Sequence, residues 1–94
     1  MKHHIIVKWR PDAGNREELL EKVRTLYSGA VQVEGIRSVS LLPNCVDRPN
    51  RYDLMIVLEM EPDALPVWDA CEVHHTWKKD FGALIESKAI FDCM

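Results

Sequence analysis

The residues predict an α+β sandwich of ferredoxin-like type: a four-stranded antiparallel sheet with helices on one face, residues 1–94 forming a single domain that pairs with a copy of itself. Three observations carry that prediction. Helix-period stripes separate strand-like runs in the order strand, helix, strand, strand, helix, strand, which is what a split βαβ sandwich needs. A chain of 94 residues is too short for two cores. The third strand is apolar on both faces, so the sheet has two surfaces to cover.

His3 to Trp9 alternates, with Ile5, Val7 and Trp9 on one face and His4, Ile6 and Lys8 on the other, and Arg10-Pro11-Asp12 ends this first strand. Leu19, Leu20, Val23, Leu26 and Tyr27 then lie on one stripe of a helix whose other positions are Glu, Lys and Arg, closed by Ser28-Gly29. Ile36 to Leu42 forms a second strand between Gly35 and Pro43-Asn44, and the polar run to Arg51 is a loop. Tyr52 to Met60 is the third strand, with Tyr52, Leu54, Ile56 and Leu58 on one face and Met55 and Val57 on the other. Pro62-Asp63 opens a second helical region, in which Pro66 is tolerated in the first turn because no intrahelical donor is lost there. His74, Trp77, Phe81, Leu84 and Ile85 repeat at helical spacing, and the last strand runs from about Lys88 to Cys93.

Two helices on one sheet face leave the other bare, and strand three puts Met55 and Val57 there. An apolar patch of several hundred Å² is abnormal on a monomer. Covering it at roughly 25 cal/mol per Å² is worth many kcal/mol. The simplest cover is a second copy, since closed two-fold pairing is the commonest assembly. The chain is therefore expected to be a homodimer, held through Val57, or through Ile56 if the faces are reversed.

A hydrophobic fraction of 47% with 29% charged residues is that of a globular chain, not a disordered one. A net charge of −3 and a single basic pair, Lys78-Lys79, argue against nucleic-acid binding. No apolar run approaches the roughly 20 residues that cross a bilayer, so no membrane partner is expected and the chain reads as soluble and cytoplasmic. Cys45, Cys71 and Cys93 are odd in number and widely spaced, which suits free thiols better than disulfides or a paired zinc site.

Four histidines stand in two adjacent pairs. Period two sends His3 and His4 to opposite sides of strand one. His74 shares the stripe of Trp77, Phe81 and Leu84 and is expected to point inward, whereas His75 falls with Lys78, Lys79 and Gly82 on the solvent face. A buried imidazole needs a hydrogen-bond partner, at a cost of about 1 to 3 kcal/mol without one, so His74 calls for a partner or a ligand. Cys71 and His74, three apart on one face, could join a strand-one histidine on zinc, but no carboxylate accompanies them and no metal or other cofactor is expected.

Beyond these patterns, Lys2-His3-His4-Ile5-Ile6-Val7-Lys8-Trp9-Arg10 resembles the Lys-His-apolar strand that opens the stress-responsive dimeric α/β barrel proteins, the Dabb family. Tyr52 to Val57 resembles the third strand of that family and Ile90-Phe91-Asp92 its closing strand. Trp68-Asp69-Ala70-Cys71-Glu72-Val73-His74 stands where the family has aromatic-x-x-His-Pro-x-His, with Trp77 at a following aromatic position. The resemblance covers nearly the whole chain. It implies a homodimer whose sheets meet as a barrel, with a small cavity between sheet and helices in each subunit. In the related plant polyketide cyclases the strand-one histidine and the second motif histidine line that cavity, the latter as general base. His3 and His74 match them. The family's first motif histidine is Cys71 here, its proline Glu72, and its usual tyrosine Trp68, which removes a hydroxyl able to hold a carbonyl oxygen.

Two functions are thus expected to compete. In the first, the barrel binds a small apolar or aromatic molecule against Trp68, Cys71, Trp77, Phe81 and His74. In the second, His74 takes a proton from a substrate that His3 orients, a role suited to a side chain that titrates near working pH. A third, metal or haem binding, rests on looser kinship with other dimeric barrels.

Overall fold

A computed structural model describes residues Met1–Met94. Strand β1 (Lys2–Trp9) leads into helix α1 (Arg16–Tyr27), then β2 (Ile36–Pro43), β3 (Leu54–Met60), the short helix α2 (Leu65–Ala70), α3 (Glu72–Phe81) and β4 (Ile85–Cys93). All neighbours in the sheet are antiparallel, in the order β2-β3-β1-β4. This is the expected ferredoxin-like α+β architecture.

Local chemistry sets the element ends. Asn15 caps α1 through Oδ1, which accepts the Glu17 and Glu18 amides at 2.9 and 3.1 Å, and the two glutamates sit favourably at the positive end of the helix. Leu19, Val23 and Tyr27, at steps of four, press this helix onto the sheet. Pro66 lies in the first turn of α2, as its missing donor requires.

Three boundaries differ from expectation. Strand β3 starts at Leu54 rather than Tyr52, because Asp53 turns aside to bond Val7 O through its amide and the Trp9 amide through its carboxylate. The second helical region is two helices, broken at Cys71, whose backbone is extended (φ −79°, ψ 161°) and whose Sγ accepts the His74 amide at 3.4 Å as the cap of α3. Leu84 and Ile85 do not continue the helix: a 3-10 turn over Gly82–Leu84 ends it, and Ile85 already pairs with Trp9 in β4.

The core lies between the sheet and the helices. Ile5, Val7 and Trp9 of β1, with Leu54, Ile56, Leu58 and Met60 of β3, meet Leu19, Val23, Tyr27, Trp68, Trp77 and Phe81 from the helices. Register places the opposite face residue by residue. His4 lies between Val57 and Phe91, and Ile6 between Met55 and Ala89, with Leu42 beyond Met55. No helix covers this side, and the molecule's smallest extent is 17 Å, that of one sheet and one helix layer. Leu42 and Phe91 are 52% and 59% exposed. No helix is long and apolar enough to cross a membrane.

Candidate functional site

At the end of the sandwich where β1 begins, His3 is buried at 6% exposure and faces the helices. Its Nδ1 lies 2.5 Å from the Asp92 carboxylate on β4, the residue directly opposite it in the ladder. A carboxylate facing a ring nitrogen makes that nitrogen the donor, so Nδ1 carries the proton and Nε2 keeps its lone pair whenever the ring is neutral.

His74 sits in the first turn of α3 and is half-buried rather than enclosed in the apolar stripe. The break at Cys71 restarts the helix only two residues earlier, so the ring reaches back over α2, where Nδ1 donates to the Asp69 carbonyl at 3.0 Å and the ring tilts against Trp68, 5.5 Å between centroids. A carbonyl only accepts, which again leaves Nε2 free. His75 is exposed.

The aromatic residues form one continuous nest. Trp68 and Trp77 are 0% and 1% exposed, and Phe81 is 7%. Tyr27 meets Trp77 edge-on at 5.4 Å and Trp68 at 5.8 Å, and Trp77 stacks on Phe81 at 5.2 Å. These rings pack the core instead of framing an open cleft. Phe81 alone among them borders a sizeable surface groove, about 640 Å³ between α1 and α3, whose floor includes Leu19, Leu26 and Leu84.

Two polar atoms inside this nest have no hydrogen-bond partner: Tyr27 Oη and Trp68 Nε1. Such groups are uncommon in native interiors, and each costs about 1 to 3 kcal/mol while unpaired. Burial pushes the Tyr27 phenol well above its ordinary range, helped by the neighbouring Cys71 thiol. Trp68 thus puts an indole N–H into the interior at the motif position read from the sequence as lacking a hydroxyl. The Trp68 indole N–H can only donate and the Tyr27 hydroxyl can donate as well as accept, so a single acceptor oxygen would satisfy both.

Cys71 and His74 do come together, but through the thiol and a backbone amide; His3 Nδ1 is committed to Asp92, and no three His, Cys, Asp or Glu side chains converge as metal ligands. Sequence reasoning missed Asp92 and Tyr27. Their signals were there: Asp92 in the closing Ile-Phe-Asp run, and a hydroxyl on an otherwise aliphatic helix stripe.

Comparison with solved structures bears on the fold. Along 99% of its length and 93% of the other chain, the protein matches a dabb family protein with a ferredoxin-like fold from Mesorhizobium loti, with a TM-score of 0.66 and 12% identity. This is the ferredoxin-like fold. A dimeric protein of ferredoxin-like fold from Bacteroides fragilis matches at a TM-score of 0.81 and 17% identity, over 98% of this chain and 92% of that one. A hydroxynitrile lyase from Passiflora edulis matches at 0.76 and 7% identity, over 96% and 87%. No family model matches the chain, and no curated protein matches it in sequence.

Proposed function

We propose that this chain is a stress-responsive α/β barrel protein, working as a homodimer, that binds a small aromatic or apolar molecule carrying a carbonyl or phenolic oxygen. The observation that carries the reading is the pair of unpartnered donors, Tyr27 Oη and Trp68 Nε1, on rings 5.8 Å apart in a buried aromatic nest. Aromatic walls supply binding energy without direction, and a few placed polar groups supply orientation. Because these rings pack without a cleft, the nest must part for the ligand's oxygen to accept from Tyr27 and Trp68, with Trp77 and Cys71 then flanking it. The dimer is supported by the uncovered apolar sheet face and by the dimeric neighbours of the same fold.

A tryptophan-fluorescence titration with acetophenone tests this, comparing wild type with Tyr27→Phe and Trp68→Phe, which keep a ring and delete the donor. Each variant should bind roughly 5- to 100-fold more weakly, the equivalent of about 1 to 3 kcal/mol. No saturable binding, or variants that bind as tightly as wild type, would contradict it.

The second reading, an enzyme, is favoured by one specific observation. His3 and His74 both have Nδ1 tied to an acceptor and Nε2 left as a base. In that reading His74 takes a proton from the bound molecule and His3, braced by Asp92, orients it. The hydroxynitrile lyase of the same fold is an enzyme. His74→Ala should then abolish turnover while His75→Ala leaves it unchanged; equal activity in both variants would remove the catalytic role and leave binding intact.

A further inference from the structure

We infer that His4 makes pairing of the bare sheet faces depend on pH: two copies join while His4 is neutral and separate when it is protonated. This rests on the homodimer reading above.

His4 stands in the middle of the uncovered face, in the row Ser40, Val57, His4, Phe91, beside the row Leu42, Met55, Ile6, Ala89. Its Nδ1 donates to the Phe91 carbonyl at 3.0 Å, and its ring meets Phe91 edge-on at 5.8 Å and 66°. The carbonyl fixes the proton on Nδ1, so the neutral ring turns only the Nε2 lone pair outward. In that state His4 is a mostly apolar plate, suited to a covered surface.

Protonation changes this, because a charge taken out of water needs a partner. The groups around His4 do not supply one. On its own strand the same-face neighbours are Ile6 and Lys2, with Lys8 beyond, and both lysines are like-charged. From β3 come Val57, Met55 and Glu59; from β4 come Phe91, Ala89 and Cys93; the helices lie on the other side. Glu59 is the only acid among them, and it is already opposite Lys2 and accepts from Ser38 Oγ at 3.1 Å. A two-fold interface brings a second copy of the same set, hence a second His4 and no new kind of acid. Two protons must therefore leave for each dimer formed, which allows the dimer Kd to rise by up to roughly 100-fold per pH unit through the titration.

Sedimentation equilibrium of the full chain at about pH 8 and about pH 5.5, spanning the ordinary range of histidine, tests this. Wild type should show a dimer Kd at least about tenfold weaker at the lower pH, and His4→Phe and His4→Gln should show less than about a twofold change. A wild-type Kd that ignores pH overturns the inference, as does an undiminished pH response in both variants. A wild-type monomer at pH 8 and low micromolar concentration would remove the homodimer reading and this inference with it.

Discussion

Tyr27 and Trp68 are each all but fully enclosed, yet each holds a polar atom with nothing to bond. In the unliganded protein that is a cost, so Tyr27→Phe should raise stability by about 1 kcal/mol in urea denaturation while weakening ligand binding, a divergence that a purely structural tyrosine would not give. The phenol also predicts a pH dependence. Its folded-state pKa is raised by burial, so its contribution is complete below the ordinary value of 10.0 and stability falls as pH rises beyond that, where only the unfolded chain sheds the proton. Wild type should therefore lose more stability than Tyr27→Phe between about pH 9 and pH 11. At this scale the sequence marked His3, His74 and Trp68, because unusual residues in apolar patterns are visible. It could not show Asp92 as the partner of His3, since that pairing follows from the register of two strands 89 positions apart in the chain.

Elements were legible where periodicity ruled and illegible where a single backbone choice did. The stripes of α1 and α3 and both faces of β3 follow from spacing alone. The break at Cys71 does not, because a thiol acting as helix cap leaves no pattern, and it alters the site by lifting His74 out of full burial. Gly35 is a second such point: φ is +88°, and a Cβ there would stand 2.6 Å from Ala64 Cβ. Gly35→Ala should cost about 2 kcal/mol or more, read as a shift in the urea midpoint; a change below about 0.5 kcal/mol would contradict the close packing of Gly35 against Ala64. Val57 lies on the bare face and Ile56 in the core, which makes them a matched pair for testing the dimer. Val57→Asp places an unpaired charge on the bare face and should weaken the dimer at least 100-fold, roughly, while the monomer stays folded. Ile56→Asp places the charge at a fully buried position and should unfold the chain instead.

For the whole molecule, the two-layer thickness, the four-stranded antiparallel sheet and the uncovered second face were all implied by six elements and one strand apolar on both sides. The nest of Tyr27, Trp68 and Trp77 was not, since it is assembled from three helices and no local pattern announces two buried polar atoms left without partners. The most direct test is a ¹H–¹⁵N spectrum of protein labelled in its three tryptophans, recorded while acetophenone is added. The indole N–H of Trp68, assigned by its absence in Trp68→Phe, should move downfield saturably as it donates to the ketone, ahead of the Trp9 and Trp77 signals. If it stays in place up to saturating ligand, or if all three signals drift together without saturation, the buried donors do not form a binding site.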